Sequence, residues 1–183
     1  MATQYPRLEE AHVAFIEAQH IYFTGSAAPD GRVNVSPKGM DSLRVLGPDR
    51  IAWLNYTGSG NETAGHLLQS PRVTLMWCSF TLKPLILRAY GTARAIHRGD
   101  AGWTEAVAPW GDPAGARQVF DMAVEMVQTS CGYAVPFFDN PRERDTLARW
   151  TADKGPDGIR AYWDEKNTRT IDGAPTGIEA NWT

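Results

Sequence analysis

Apolar and polar residues alternate along the first half of the chain in short runs. Ile21–Ala27, Arg32–Ser36, Ser42–Leu46, Arg50–Tyr56, Arg72–Phe80 and Leu85–Ile96 combine β-branched and aromatic residues with a two-residue period, which predicts six strands. Pro29-Asp30-Gly31 and Gly47-Pro48-Asp49 supply turn residues between neighbouring runs and predict hairpins. In the second run Val33 and Val35 face one way, and Arg32, Asn34 and Ser36 the other. A helical spacing of Leu8, Ala11, Phe15 and Ala18 predicts a helix over residues 7–19. A short helix fits Glu62–Gln69, with Asn61 at its start and Pro71 beyond its end.

From residue 99 the pattern changes. Val119, Met122, Met126 and Val127 form the apolar stripe of an expected helix over Asp112–Ser130. A second helix is expected over Asn140–Lys154, with Pro141 near its start and Gly155 just past its end. The tail from Gly155 to Thr183 shows no readable period. These elements predict a single domain over residues 1–183, mainly β with peripheral helices (α+β). Its core is an antiparallel six-stranded barrel over about residues 20–97, and a helical and tail region follows over about 99–183.

Composition narrows the function classes. Hydrophobic residues make up 43% of the 183 positions and charged residues 21%, as in a packed globule. The net charge of −3 leaves no basic surplus for nucleic acid. No apolar run reaches the ~20 residues of a membrane helix, and the first residues lack a secretory pattern. With two cysteines, Cys78 and Cys131, this reads as a cytoplasmic protein. The histidines His12, His20, His66 and His97 lack metal-ligand spacing, and His66 is expected at the surface. Asp172, before Gly173, suits a turn as well as acid–base work.

The candidate chemistry lies in two polar insertions, Arg32–Gly39 and Asn55–Thr63, each at the end of an apolar strand. Arg32 and Lys38 offer charge. Gly58 and Gly60 allow close backbone approach, Thr63 adds a hydroxyl, and Asn61 at a helix start leaves backbone N–H groups free for an anion. Tyr56 and Trp77 offer planar surface. An ordinary N-cap and a solvated hairpin would use the same residues.

The ordered set Tyr22–Gly25, Arg32–Gly39, Asn55–Thr63, Ser70–Val73 and Leu87–Gly91 resembles the pyridoxamine 5′-phosphate oxidase-related family of FMN-binding split β-barrels. Ser130–Pro136 and Glu165–Gly173 resemble a less characterised branch of it. The resemblance implies a homodimer with FMN at the subunit interface, acting on a small molecule as an oxidoreductase. It implies cofactor contacts from Arg32, Val33, Asn34, Ser36 and Lys38, and from Tyr56, Thr57, Asn61, Glu62 and Thr63. Trp77 and Arg88 would approach the ring or the phosphate, in their own subunit or across the interface. Non-catalytic flavin-binding or stress-related proteins, and relatives that hold deazaflavin or haem, share the same barrel. The oxidase itself carries an Arg-Lys pair where this chain has Glu62-Thr63, and its C-terminal Arg-x-His pattern is missing here. The resemblance therefore points to a relative of the oxidase.

Overall fold

The computed structural model describes residues 2–182. In chain order its elements are β1 (Thr3–Tyr5), α1 (Glu10–Glu17), β2 (Tyr22–Ser26), β3 (Asn34–Lys38), β4 (Leu43–Gly47) and β5 (Arg50–Tyr56). Then follow α2 (Glu62–Leu67), β6 (Arg72–Cys78), β7 (Ile86–His97), α3 (Trp103–Val107), β8 (Ala116–Ser130) and α4 (Thr146–Lys166). All strand pairs are antiparallel, in the order β3-β2-β6-β7-β8-β5-β4, with β1 added to β8. The sheet is a split barrel. The six strands expected from the alternation are all present, and among the described residues β1 and β8 raise the total to eight.

β8 overturns the helix expected over Asp112–Ser130. Its Val119, Met122 and Met126 mimic a helical stripe. Yet Phe120, Met122 and Val124 are buried between the more exposed Asp121, Ala123 and Glu125, a period of two. Twelve residues of β7 pair with β8, and β5 pairs with its other edge. Such cross-strand pairing outweighs the local preference. At the bulge after Tyr90 the strands approach so closely that a Cβ on Gly91 would overlap the carbonyl of Ala123.

The helical expectations need smaller corrections. α1 buries His12 and Ile16, while Ala11 and Ala18 face solvent. The helix expected over Asn140–Lys154 begins at Thr146 and continues to Lys166. Gly155 does interrupt it, with φ 64° and ψ 174°, but Pro156 starts a second segment at once.

Trp53, Trp77, Leu75, Leu87, Phe120 and Met122 fill the barrel interior. Trp77 stacks on Tyr22 with ring centres 6.0 Å apart, and Trp53 meets Phe120 at 5.1 Å. α3 covers a second cluster of Leu54, Ile96 and Val119 through Trp103 and Val107. A third cluster, Ile159, Trp163 and Ile178, joins the later part of α4 to the C-terminal turn. This covering makes the start of β8 buried on both faces, including Arg117 and Gln118.

Candidate functional site

The alternation of β3 turns Asn34, Ser36 and Lys38 inward and leaves Val33 and Val35 exposed at 73% and 63%. Opposite them β5 ends in Asn55 and Tyr56, and the chain loops through Gly58 and Gly60 into α2. These parts enclose a cavity of about 370 Å³, bounded also by Asn61, Glu62, Thr63 and Arg117. Its polar wall is preorganised. Asn34 Nδ2 donates to Ser36 Oγ at 3.1 Å and to Thr63 Oγ1 at 3.4 Å. Ser26 Oγ supports Thr63 from below at 3.2 Å and meets His66 Nδ1 at 3.0 Å.

Two cations define the electrostatics. Lys38 Nζ donates to Asn55 Oδ1 at 3.1 Å, and Asn55 in turn donates to Gln118 Oε1 at 2.8 Å. Arg117, 2% exposed, donates from Nη1 to Gly60 O at 2.9 Å and Asn167 Oδ1 at 2.8 Å. Among the described residues, every hydrogen-bond partner of these two cations is a neutral oxygen. Burial, and then the neighbouring charge of Arg117, lower the Lys38 pKa to about 8. Burial also presses down on Arg117, whose guanidinium nevertheless stays charged at neutral pH. Among the described residues, Arg117 Nε and Asn61 Nδ2 are buried without any acceptor. Such orphaned donors carry a desolvation cost, and an anion in the cavity would relieve it.

The tail closes the loop from outside. Asn167, fully buried, donates to Gly58 O at 3.0 Å while accepting from Arg117. Thr176 Oγ1 donates to Asn167 O and fixes the turn. Further out, Ile171 N–H donates to both Glu62 carboxylate oxygens, at 3.2 and 3.0 Å. Asp172 accepts from the backbone N–H of Arg32 at 2.7 Å and pairs with its guanidinium. That backbone bond, with the guanidinium, holds the Asp172 carboxyl below its usual range.

Seven of the twelve residues that the resemblance implies as cofactor contacts thus share one cavity with Gly58 and Gly60: Asn34, Ser36, Lys38, Tyr56, Asn61, Glu62 and Thr63. The others lie elsewhere. Thr57 is buried, bonded to Gly115 O and Trp163 Nε1, each at 2.9 Å. Arg32 is at the surface with Asp172, and Trp77 is enclosed in the core. Arg88 lies on the outer face, paired with Met76 and Gln128. His66, expected at the surface, is buried beneath Ser26. α2 has only six residues, so the positive field of the cavity comes from Lys38 and Arg117. Sequence reasoning misses Arg117 and Asn167 as functional candidates. It places Arg117 in a helix, although the alternation from Phe120 to Glu125 is a readable strand signal.

The family model described as Pyridoxamine 5′-phosphate oxidase matches residues 8–131. A pyridoxamine 5′-phosphate oxidase family protein of Aspergillus flavus, ustO, is 34% identical over 177 residues, covering 86% of this chain and 70% of its own length. HupZ of Group A Streptococcus superposes with a TM-score of 0.52 at 16% identity, over 65% of this chain and 91% of that one. A candidate pyridoxamine 5′-phosphate oxidase of Lactobacillus delbrueckii superposes at 0.54 with 22% identity, over 67% and 94%. At these identities the superpositions establish a shared fold.

Proposed function

The chain belongs to the pyridoxamine 5′-phosphate oxidase family, and from that premise we propose that it is an FMN-dependent oxidoreductase of small molecules, working as a homodimer. One observation carries the reading: Lys38 and Arg117 flank a cavity of about 370 Å³ without a carboxylate partner, beside the unpaired donors Arg117 Nε and Asn61 Nδ2. Two buried positive charges suit a phosphate dianion, whose oxygens accept charge-assisted hydrogen bonds. Ser36, Thr63 and Asn34 would hold the ribityl hydroxyls, and Tyr56 would border the ring. Glu62 would act from behind, by tying down the tail through Ile171. Arg32 would do the same through Asp172. When bound, FMN supplies hydride and electron transfer, while the protein supplies position and electrostatics.

The dimer is supported by the outer face of the sheet. Val35, Gly25, Thr74, Tyr90 and Met126 form one cross-strand row. Pro37, Phe23, Met76, Arg88 and Gln128 form the next. A face with Val33 and Val35 more than half exposed suits burial against a second copy. Arg88, in that face, would reach the partner's flavin.

The test is a flavin titration followed by anaerobic reduction. FMN is expected to bind with one equivalent per chain and a perturbed visible spectrum. NADH or NADPH, or another hydride donor, should then bleach it at a catalytic rate. A protein that leaves the FMN spectrum unchanged overturns the cofactor assignment. Binding without turnover by any reductant would favour a flavin carrier.

A further inference from the structure

A second cavity, of about 990 Å³, shares Pro37 and Lys38 with the first. Its far wall is the irregular segment between β8 and α4. That segment is tied to the β6–β7 connection by Phe138 N–H, which donates to Phe80 O at 3.2 Å. The two rings meet edge to face with centres 4.9 Å apart. Even so, Phe138 keeps 60% of its surface exposed. Met40, Leu147 and Trp150 extend the apolar surface.

Apart from the shared Lys38, the charges around this cavity are balanced. Arg142 and Arg144 stand against Asp139 and Glu143, and Glu143 also meets His20 at 3.4 Å. Lys38 is the shared cation, and its amine is committed to Asn55 in the first cavity. A phosphorylated ligand would require uncompensated cations of the kind the first cavity has. A concave surface of aromatic and aliphatic groups, with charges of both signs at its rim, instead suits a flat apolar molecule.

We propose that this cavity binds the second reactant, a planar aromatic molecule without net charge, packed against Phe80, Phe138 and Trp150. Its role as substrate rests on the FMN reading; its binding does not. Pro37 and Lys38 border both cavities and so place the bound molecule next to the first.

Two fluorescent probes with the same ring skeleton test the proposal on the full chain: uncharged N-phenyl-1-naphthylamine and its anionic sulfonate, 8-anilinonaphthalene-1-sulfonate. The uncharged probe should bind saturably, with one equivalent per chain, at least as tightly as the sulfonate. Phe138→Ser, at an exposed position that folding tolerates, should weaken it about tenfold. Leu46→Ser, at an exposed apolar position on β4, should leave it unchanged. Absence of saturable binding, a tenfold preference for the sulfonate, or indifference to Phe138→Ser would each overturn the proposal. FMN is titrated into the same samples. Probe binding without FMN binding would sustain the aromatic site and sink the flavin reading. FMN binding without probe binding would do the reverse.

Discussion

Arg117 Nη1 and Asn167 Oδ1 lie 2.8 Å apart, each buried, and together they hold the backbone of the Gly58–Gly60 loop. The strand provides the charge and the tail fixes its direction. Asn167→Ala should therefore leave Gly58 O without its Asn167 donor and weaken the grip on Arg117. Each buried group left unpaired costs about 1–3 kcal/mol. Urea unfolding should show a loss of about 2 kcal/mol or more, and FMN titration a drop of about tenfold. Unchanged FMN affinity in a folded variant would separate the tail from the cavity.

Lys38 predicts opposite pH effects on the free and the loaded protein. Its folded pKa, about 8, lies below the ordinary 10.5. Between those values the unfolded chain holds more protons than the folded one, so stability without FMN rises with pH across that window. Below pH 8 the cost of the buried charge is fully present; its relief is on the order of 3 kcal/mol. A phosphate favours the charged amine, so FMN affinity should fall as pH rises through 8. Lys38→Met should flatten both profiles. Urea midpoints and flavin titrations between pH 7 and 10 measure them.

The Glu62 carboxylate faces the Ile171 amide. Glu62→Ala should release this anchor of the tail. Hydrogen exchange of the amides around Ile171 should accelerate while that of the β7–β8 ladder stays the same. Equal protection in both proteins would show that the remaining tail contacts, Arg32 with Asp172 and Asn167 with Gly58, hold it without Glu62.

Val35 is 63% exposed at the end of a cross-strand row. Val35→Asp puts a charge into the proposed subunit interface at little cost to the isolated fold. Light scattering should show a dimer for the parent chain and a monomer for the variant, with weaker FMN binding in the latter. A monomeric parent chain would remove the interface from the proposal.

The barrel can be read from the sequence because six of its strands announce a two-residue period and are punctuated by Pro, Gly and Asp. The inward turn of Asn34 and Ser36 opposite Val33 and Val35 follows from the same period. β8 is harder to read, since burial on both faces at Arg117–Phe120 erases the alternation just where function begins. The role of Asn167 is hidden for another reason. It acts through a contact with Gly58, 109 positions earlier, that no local pattern encodes. Glu62 and Arg32 look like isolated charges because their partners, Ile171 and Asp172, lie in the tail.

The bond between Asn167 and Gly58 also sets an order of events in time. The loop is made before the strand bearing Arg117, but the Arg117 side chain and the Gly58 carbonyl gain their Asn167 partner only after residue 167 has been made and the long segment between them has closed. The barrel strands can pair before that moment. A nascent chain would therefore acquire its sheet first and its anion cradle later, and an anion could be held there only once residue 167 had been made.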